Sequence, residues 1–162
     1  MDNEMRIVAR HMAKAPVDLP AIFQDLGIDF QTFWMDEASG WIERDGEKFT
    51  VAVNAVEPNR RQRFTAAHEL AHYLLHRDLM DHGGKMHRHT DQLYDGSNSA
   101  AGSPFNRQHE IQANRLAAQI IMPASLVREK YAENEDLASL AEEFDVSKLA
   151  MEIRLKTLGL IG

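Results

Sequence analysis

Three side chains close together in the chain could do chemistry as a unit: His68, Glu69 and His72. The histidines are four positions apart, so on a helix they stand about 40° and one turn apart. Both imidazoles can then reach one metal ion. Glu69, one step round the helix, can touch a water on that ion without touching the ion. Two histidine ligands with a glutamate base suit metal-assisted hydrolysis of a peptide bond. The ion makes its water acidic, and the carboxylate takes the proton during attack on the carbonyl. Phe64, Leu70, Leu74 and Leu75 flank the segment and would bury the helix, and a buried histidine needs a partner.

A catalytic zinc needs a third protein ligand and one open position. The chain has no cysteine, so that ligand must be His, Asp or Glu. Asp78 has a spacing that some zinc proteases use, but Leu75 stands where those enzymes place a turning glycine. The helix is therefore expected to continue, carrying Asp78 away. His76 lies eight residues after His68, about 12 Å along a helix, too far to share one ion, and reads as a hydrogen-bonded, half-buried histidine. Glu110 is the best placed. Ala113, Leu116, Ala117 and Ile120 form an apolar stripe, and Glu110 and His109 fall at its inner edge. A carboxylate facing a core must be paired or bound to metal. His109 is the alternative to Glu110, as ligand or as packing. Two imidazoles and a carboxylate suit one Zn2+ per chain and also accept Mn2+.

The elements that must hold these residues follow from pattern. Asp2 to Ala15 reads as a helix stopped by Pro16. Asp18 caps a second helix to Leu26, closed by Gly27. Ile28 to Met35 reads as a strand, and Gly40–Arg44 with Lys48–Ala55 as a hairpin turned at Asp45-Gly46. A long helix then runs from a capping box of Asn59 and Gln62 through His68 to about Leu79. Residues 80 to 104 read as a long loop. A second long helix opens at Ser103-Pro104 and ends near Met122-Pro123. Two or three short helices continue to Leu158. The fold class is α+β: a small three-stranded, mostly antiparallel sheet packed on a zincin-like helical core, followed by a helix-turn-helix-like segment. The 162 residues fit one metallopeptidase domain, with a catalytic part at 1–123 and a helical part at 124–162.

Net charge is -7 with 44% hydrophobic and 27% charged residues, an ordinary soluble composition that disfavours general nucleic-acid binding. No apolar run is long enough to span a bilayer, and the N-terminus lacks a signal-peptide pattern. The expectation is a cytoplasmic protein with no membrane or direct nucleic-acid partner. Five of its eight histidines fall between His68 and His87. In the loop, Tyr94, His87 and His89 are candidates to stabilise an oxyanion. Thr50–Asn54 either pairs within the sheet or offers an exposed edge to which an extended substrate could add as a strand.

Arg63-Phe64-Thr65-Ala66-Ala67-His68-Glu69-Leu70-Ala71-His72 resembles the Arg-Phe-Thr-x-Ala-His-Glu-Leu-Gly-His core of the ImmA/IrrE family of metallopeptidases, with Ala71 for the usual Gly. The run from Glu110 to Met122-Pro123 resembles that family's Glu-x-x-Ala-Asn-x-Phe-Ala-x-x-Leu-Leu-Met-Pro block, with Leu116 for Phe. Ser39-Gly40-Trp41-Ile42 resembles its preceding strand. The resemblance covers about residues 39 to 123, and the second block makes it specific. It implies His68, His72 and Glu110 as ligands and Glu69 as base. By the related likeness to thermolysin-like enzymes, it implies Asn114 as the residue that orients a ligand histidine. It also implies a substrate, a helix-turn-helix transcriptional repressor encoded nearby, in mobile-element, prophage or stress regulation.

Leu140 to Ala150 resembles a helix-turn-helix unit in which Ser147 caps the second helix. The rival reading is a DNA-binding regulator. Residues 134–162 carry Glu135, Asp136, Glu142, Glu143, Asp145 and Glu152 against Lys148, Arg154 and Lys156. That balance argues for a structural pair or a docking face instead. A non-catalytic antirepressor or toxin–antitoxin-type binding protein is the third reading.

Overall fold

A computed structural model describes residues 2–81, 83–89 and 103–162, with only the backbone considered for 84–89. The order is α1 (Asn3–Arg10), α2 (Leu19–Leu26), β1 (Asp29–Phe33), β2 (Gly40–Asp45), β3 (Lys48–Asn54), α3 (Asn59–His76), a 3-10 turn (Arg77–Leu79), β4 (Gly83–His89), α4 (Arg107–Ile121), α5 (Ala124–Glu133), α6 (Leu137–Phe144) and α7 (Lys148–Thr157). The class is α+β, as expected, with a helical C-terminal segment. Among the described residues no helix is long and apolar enough to cross a membrane.

Among the described residues the sheet has four strands in the order β1-β3-β2-β4, one more than the sequence suggests. β1 runs parallel to β3, and β2 pairs antiparallel with both β3 and β4. The fourth strand comes from the Gly- and His-rich stretch read as loop. Its ladder to β2 carries it, despite a sequence poor in strand-forming residues. Of the two readings of Thr50–Asn54, pairing within the sheet holds and the exposed edge does not: β3 is bonded on both sides, Val51 opposite Phe30 and Ile42. In the hairpin, Asp45 pairs with Lys48, so the two-residue loop is Gly46-Glu47 rather than Asp45-Gly46. Gly46 there takes φ +63°, the left-handed region where glycine carries no steric penalty.

Local chemistry sets several helix ends. Asp18 accepts the Ala21 N–H at 3.1 Å and Gly27 closes α2 with φ +74°. α1 stops at Arg10, short of Ala15. α3 has Pro58 at its cap and no side-chain cap bond. Asn59 is already inside the helix and gives its amide to Asp145 at 2.9 Å, while Gln62 donates to the Glu57 carbonyl at 2.8 Å. The expected Asn59/Gln62 capping box is therefore absent. α4 starts at Arg107, not at Ser103-Pro104: Asn106 and His109 form the capping box that fixes this end.

α3 lies against β2 and β3 on one side and α4 on the other. Every residue from Phe64 to Tyr73 is buried, so its polar side chains must find partners inside the protein. The sheet presents Ile42, Phe49, Val51 and Val53 to it, with Phe49 meeting Tyr73 edge-on at 4.9 Å. The start of β2 presses close. A Cβ on Gly40 would stand 2.5 Å from Thr65 Cγ2 and 2.7 Å from the Ala52 carbonyl oxygen.

Candidate metal centre

His68 and His72 face α4 from α3, and Glu110 faces them from the first turn of α4. Glu110 Oε1 lies 3.0 Å from His68 Nε2 and 2.8 Å from His72 Nε2, and the two Nε2 atoms are 3.1 Å apart. All three residues are buried. Asn106 and His109 set this register: by fixing where α4 begins, their capping box puts Glu110 one residue later, on the face toward α3.

The outer ring nitrogens decide what the inner ones are. His68 Nδ1 is 2.8 Å from Asn114 Oδ1, an acceptor, so Nδ1 carries the hydrogen. His76 Nε2 donates to Gln112 Oε1 at 2.8 Å. Burial pushes the His76 pKa down and this hydrogen bond opposes that shift; in a neutral ring that donates through Nε2, Nδ1 accepts. His72 Nδ1, 2.9 Å away, must then be the donor. Both Nε2 atoms are left as lone pairs facing each other and a carboxylate oxygen. Three such groups at 2.8–3.1 Å must share a cation or a proton. Donors about 2.1 Å from a tetrahedral zinc stand about 3.4 Å apart, so a small outward shift of these side chains, about half an ångström at most, would admit the ion. Two imidazoles and one carboxylate therefore fit a divalent ion, and His68, His72 and Glu110 form a group that could hold one.

Other residues fall in differing places. Glu69 is fully buried on α3 between the two histidines. His109 stands outside the group. Its Nδ1 accepts the Asn106 N–H at 3.0 Å, and its ring lies 4.7 Å from that of His76. Asp78 is exposed in the 3-10 turn. His87 and His89 are on β4, where their backbones pair with Ile42 and Gly40, and their side chains lie outside the described residues, as does Tyr94. Sequence reasoning missed one contribution: Phe105 stacks on the His72 ring at 3.9 Å and 9° between planes. His76 is hydrogen-bonded as expected but buried rather than half-buried, and with Gln112 it extends the chain of hydrogen bonds behind His72. Nothing local marked Phe105.

A buried His-His-Glu group on two packed helices beside a small sheet is the kind of site that metal-dependent hydrolases use. The family model described as the IrrE N-terminal-like domain, of the M78 peptidases, matches residues 23–156. The chain belongs to this family, whose members are metal-dependent peptidases. No curated protein matches the chain.

Proposed function

We propose that the protein is a zinc-dependent endopeptidase that hydrolyses a peptide bond in a protein substrate, a helix-turn-helix transcriptional repressor encoded nearby. The observation that carries the enzymatic part is the convergence of His68 Nε2, His72 Nε2 and Glu110 Oε1. In this reading those three hold one Zn2+ and leave a fourth position for water or substrate. Mn2+ suits the same donors. A divalent ion there supplies Lewis acidity toward a carbonyl and acidity to a water.

The chain's own residues supply the rest. Glu69 accepts the proton of the attacking water and passes it to the leaving amine. Asn114 and His76 hold the two imidazoles in the tautomer and orientation that point Nε2 inward. Phe105, flat on His72, keeps bulk water from that ring. The repressor as substrate rests on the family alone and is the finer half of the proposal.

The test has two parts. Metal content per chain on untagged protein should be about one zinc for wild type and much less for Glu110→Ala. Purified repressor from the neighbouring gene should then be cut by wild type, and about 100-fold or more slower by Glu69→Gln. Wild type without tight metal after zinc is restored would remove the peptidase reading. Metal with no cleavage, and repressor bound equally well by Glu69→Gln, would leave a non-catalytic antirepressor.

A further inference from the structure

A second cavity lies on the side of α4 toward the C-terminal helices. It is half open and holds about 340 Å³ between α3, α4 and α7, within the size range of small-ligand pockets. Its walls are largely apolar, with Phe64, Ile111, Met122 and Ile153 among them. Two cations break that surface, Arg115 and Arg154.

Arg154 is the anomaly. It is 7% exposed, yet among the described residues no carboxylate pairs with it. Its Nε donates to the Met122 carbonyl at 2.9 Å, while its guanidinium lines the cavity. Burial lowers its pKa and nearby Arg128 lowers it further, so the neighbourhood makes the charge less favourable. Arg115, which also lines the cavity, is exposed and has no ion pair among the described residues. A buried guanidinium without a counter-charge is costly, and one that lines an apolar cavity is matched by an anion with an apolar body.

We infer that this cavity binds a small amphiphilic monocarboxylate, its head on Arg154 and Arg115 and its chain against Ile111, Met122 and Ile153. Apolar walls with only two cations suit a single carboxylate better than a polyphosphate. A guanidinium receives a carboxylate in bidentate geometry. Asn114 also lines the cavity and is the residue whose Oδ1 holds His68 Nδ1. One side chain thus stands between the ligand and the metal centre, so occupancy is felt at His68. Binding itself requires neither metal nor cleavage and stands apart from the peptidase reading.

Octanoate is the probe and octanol its neutral isostere, titrated into the full chain with amide NMR as readout. Octanoate should give saturable shifts at Ile111, Ala118 and Ile153 and at the Asn114 side-chain amide, with affinity at least about tenfold tighter than octanol. Arg154→Met should erase the preference of octanoate over octanol. Ala118→Trp, which fills the cavity and keeps both arginines, should abolish both. If Arg154→Met fails to fold, Arg115→Met with the octanol comparison on wild type decides. Equal affinity for octanol, binding that survives Ala118→Trp, or no saturable shift would overturn the inference; the last outcome would assign the cavity to a side chain of a protein partner.

Discussion

α3–α4 and α6–α7 are both packed helix pairs, yet different interactions hold them. In the C-terminal pair each helix carries its own cap: Asp136 accepts the Ser139 N–H at 2.9 Å and Ser147 the Ala150 N–H at 3.0 Å. Their contact is apolar, through Leu140, Phe144, Ala150 and Met151. α3 has no side-chain cap and buries three histidines and a glutamate along its C-terminal half. Its seam with α4 is joined by His68–Asn114, His76–Gln112 and Glu110 with both inner imidazoles. One pair is stable by local chemistry and apolar burial. The other is a polar network inside a core, and under the proposed function its stability depends on whether a cation occupies its centre.

The largest way to break this contrast is to remove the metal. With zinc a thousandfold above its dissociation constant, binding adds about 4 kcal/mol, about 10 °C in Tm for a chain of this length. Chelation should lower Tm by that order, and hydrogen exchange should quicken in α3 and α4 while α6 and α7 change little. Glu110→Ala should behave like chelated wild type and lose most of its response to zinc. Equal loss of protection in both pairs would dissolve the distinction, and an unchanged Tm would show that the network closes without an ion.

The outer hydrogen bonds come next. Asn114→Ala and His76→Leu each remove one support of a ligand imidazole and should weaken metal affinity about 10- to 100-fold. Competition with a chromogenic chelator measures this directly. Purely structural roles would lower Tm in the chelated protein and leave metal affinity alone.

Asp145 joins the two pairs. It sits at φ +54° after α6, unusual for a residue with a side chain, and its carboxylate meets Arg60 at 3.4 Å, Arg63 at 3.6 Å and the Asn59 amide on α3. Burial lowers the pKa of Arg63, and Asp145 opposes that shift. Asp145→Ala loses the contacts and keeps the strained backbone, and should cost about 2 kcal/mol. Asp145→Gly loses the same contacts without the strain and should recover about 1 kcal/mol of that. Equal values would mean that the backbone conformation carries no cost here. Denaturant unfolding of both variants separates the terms.

The same division governs what the sequence disclosed. Asp18, Gly27 and Ser147 are local devices, and each does in the structure what its type predicts. His68, His72 and Glu110 were legible because helical spacing and an apolar stripe place them, and the motif ties them to a known family. What escaped depends on distant partners. β4 exists through its ladder to β2, and β3 is central because β1 comes in parallel from across the sheet. Asn59 looked like a cap by type, but Pro58 before it and Asp145 far along the chain assign it another task. His109 and Asn106 formed a capping box that Ser103-Pro104 obscured, since proline at a first helical turn is the commoner signal.

The smallest effect is expected at Ser147. Its hydroxyl satisfies one backbone N–H at the start of α7, and Ser147→Ala should cost about 1 kcal/mol. If the C-terminal pair is stabilised locally, that cost should be the same with and without zinc, because no polar chain links Ser147 to the α3–α4 centre among the described residues. Ser147→Asp should retain the cap and add a charge favourable to the helix dipole. The measurement is a pair of denaturation curves for each variant, metal-loaded and chelated. A cost that doubles on metal removal would show that α7 leans on the metal centre, and would move the boundary between the two regions from the α4–α7 seam into the C-terminal helices themselves.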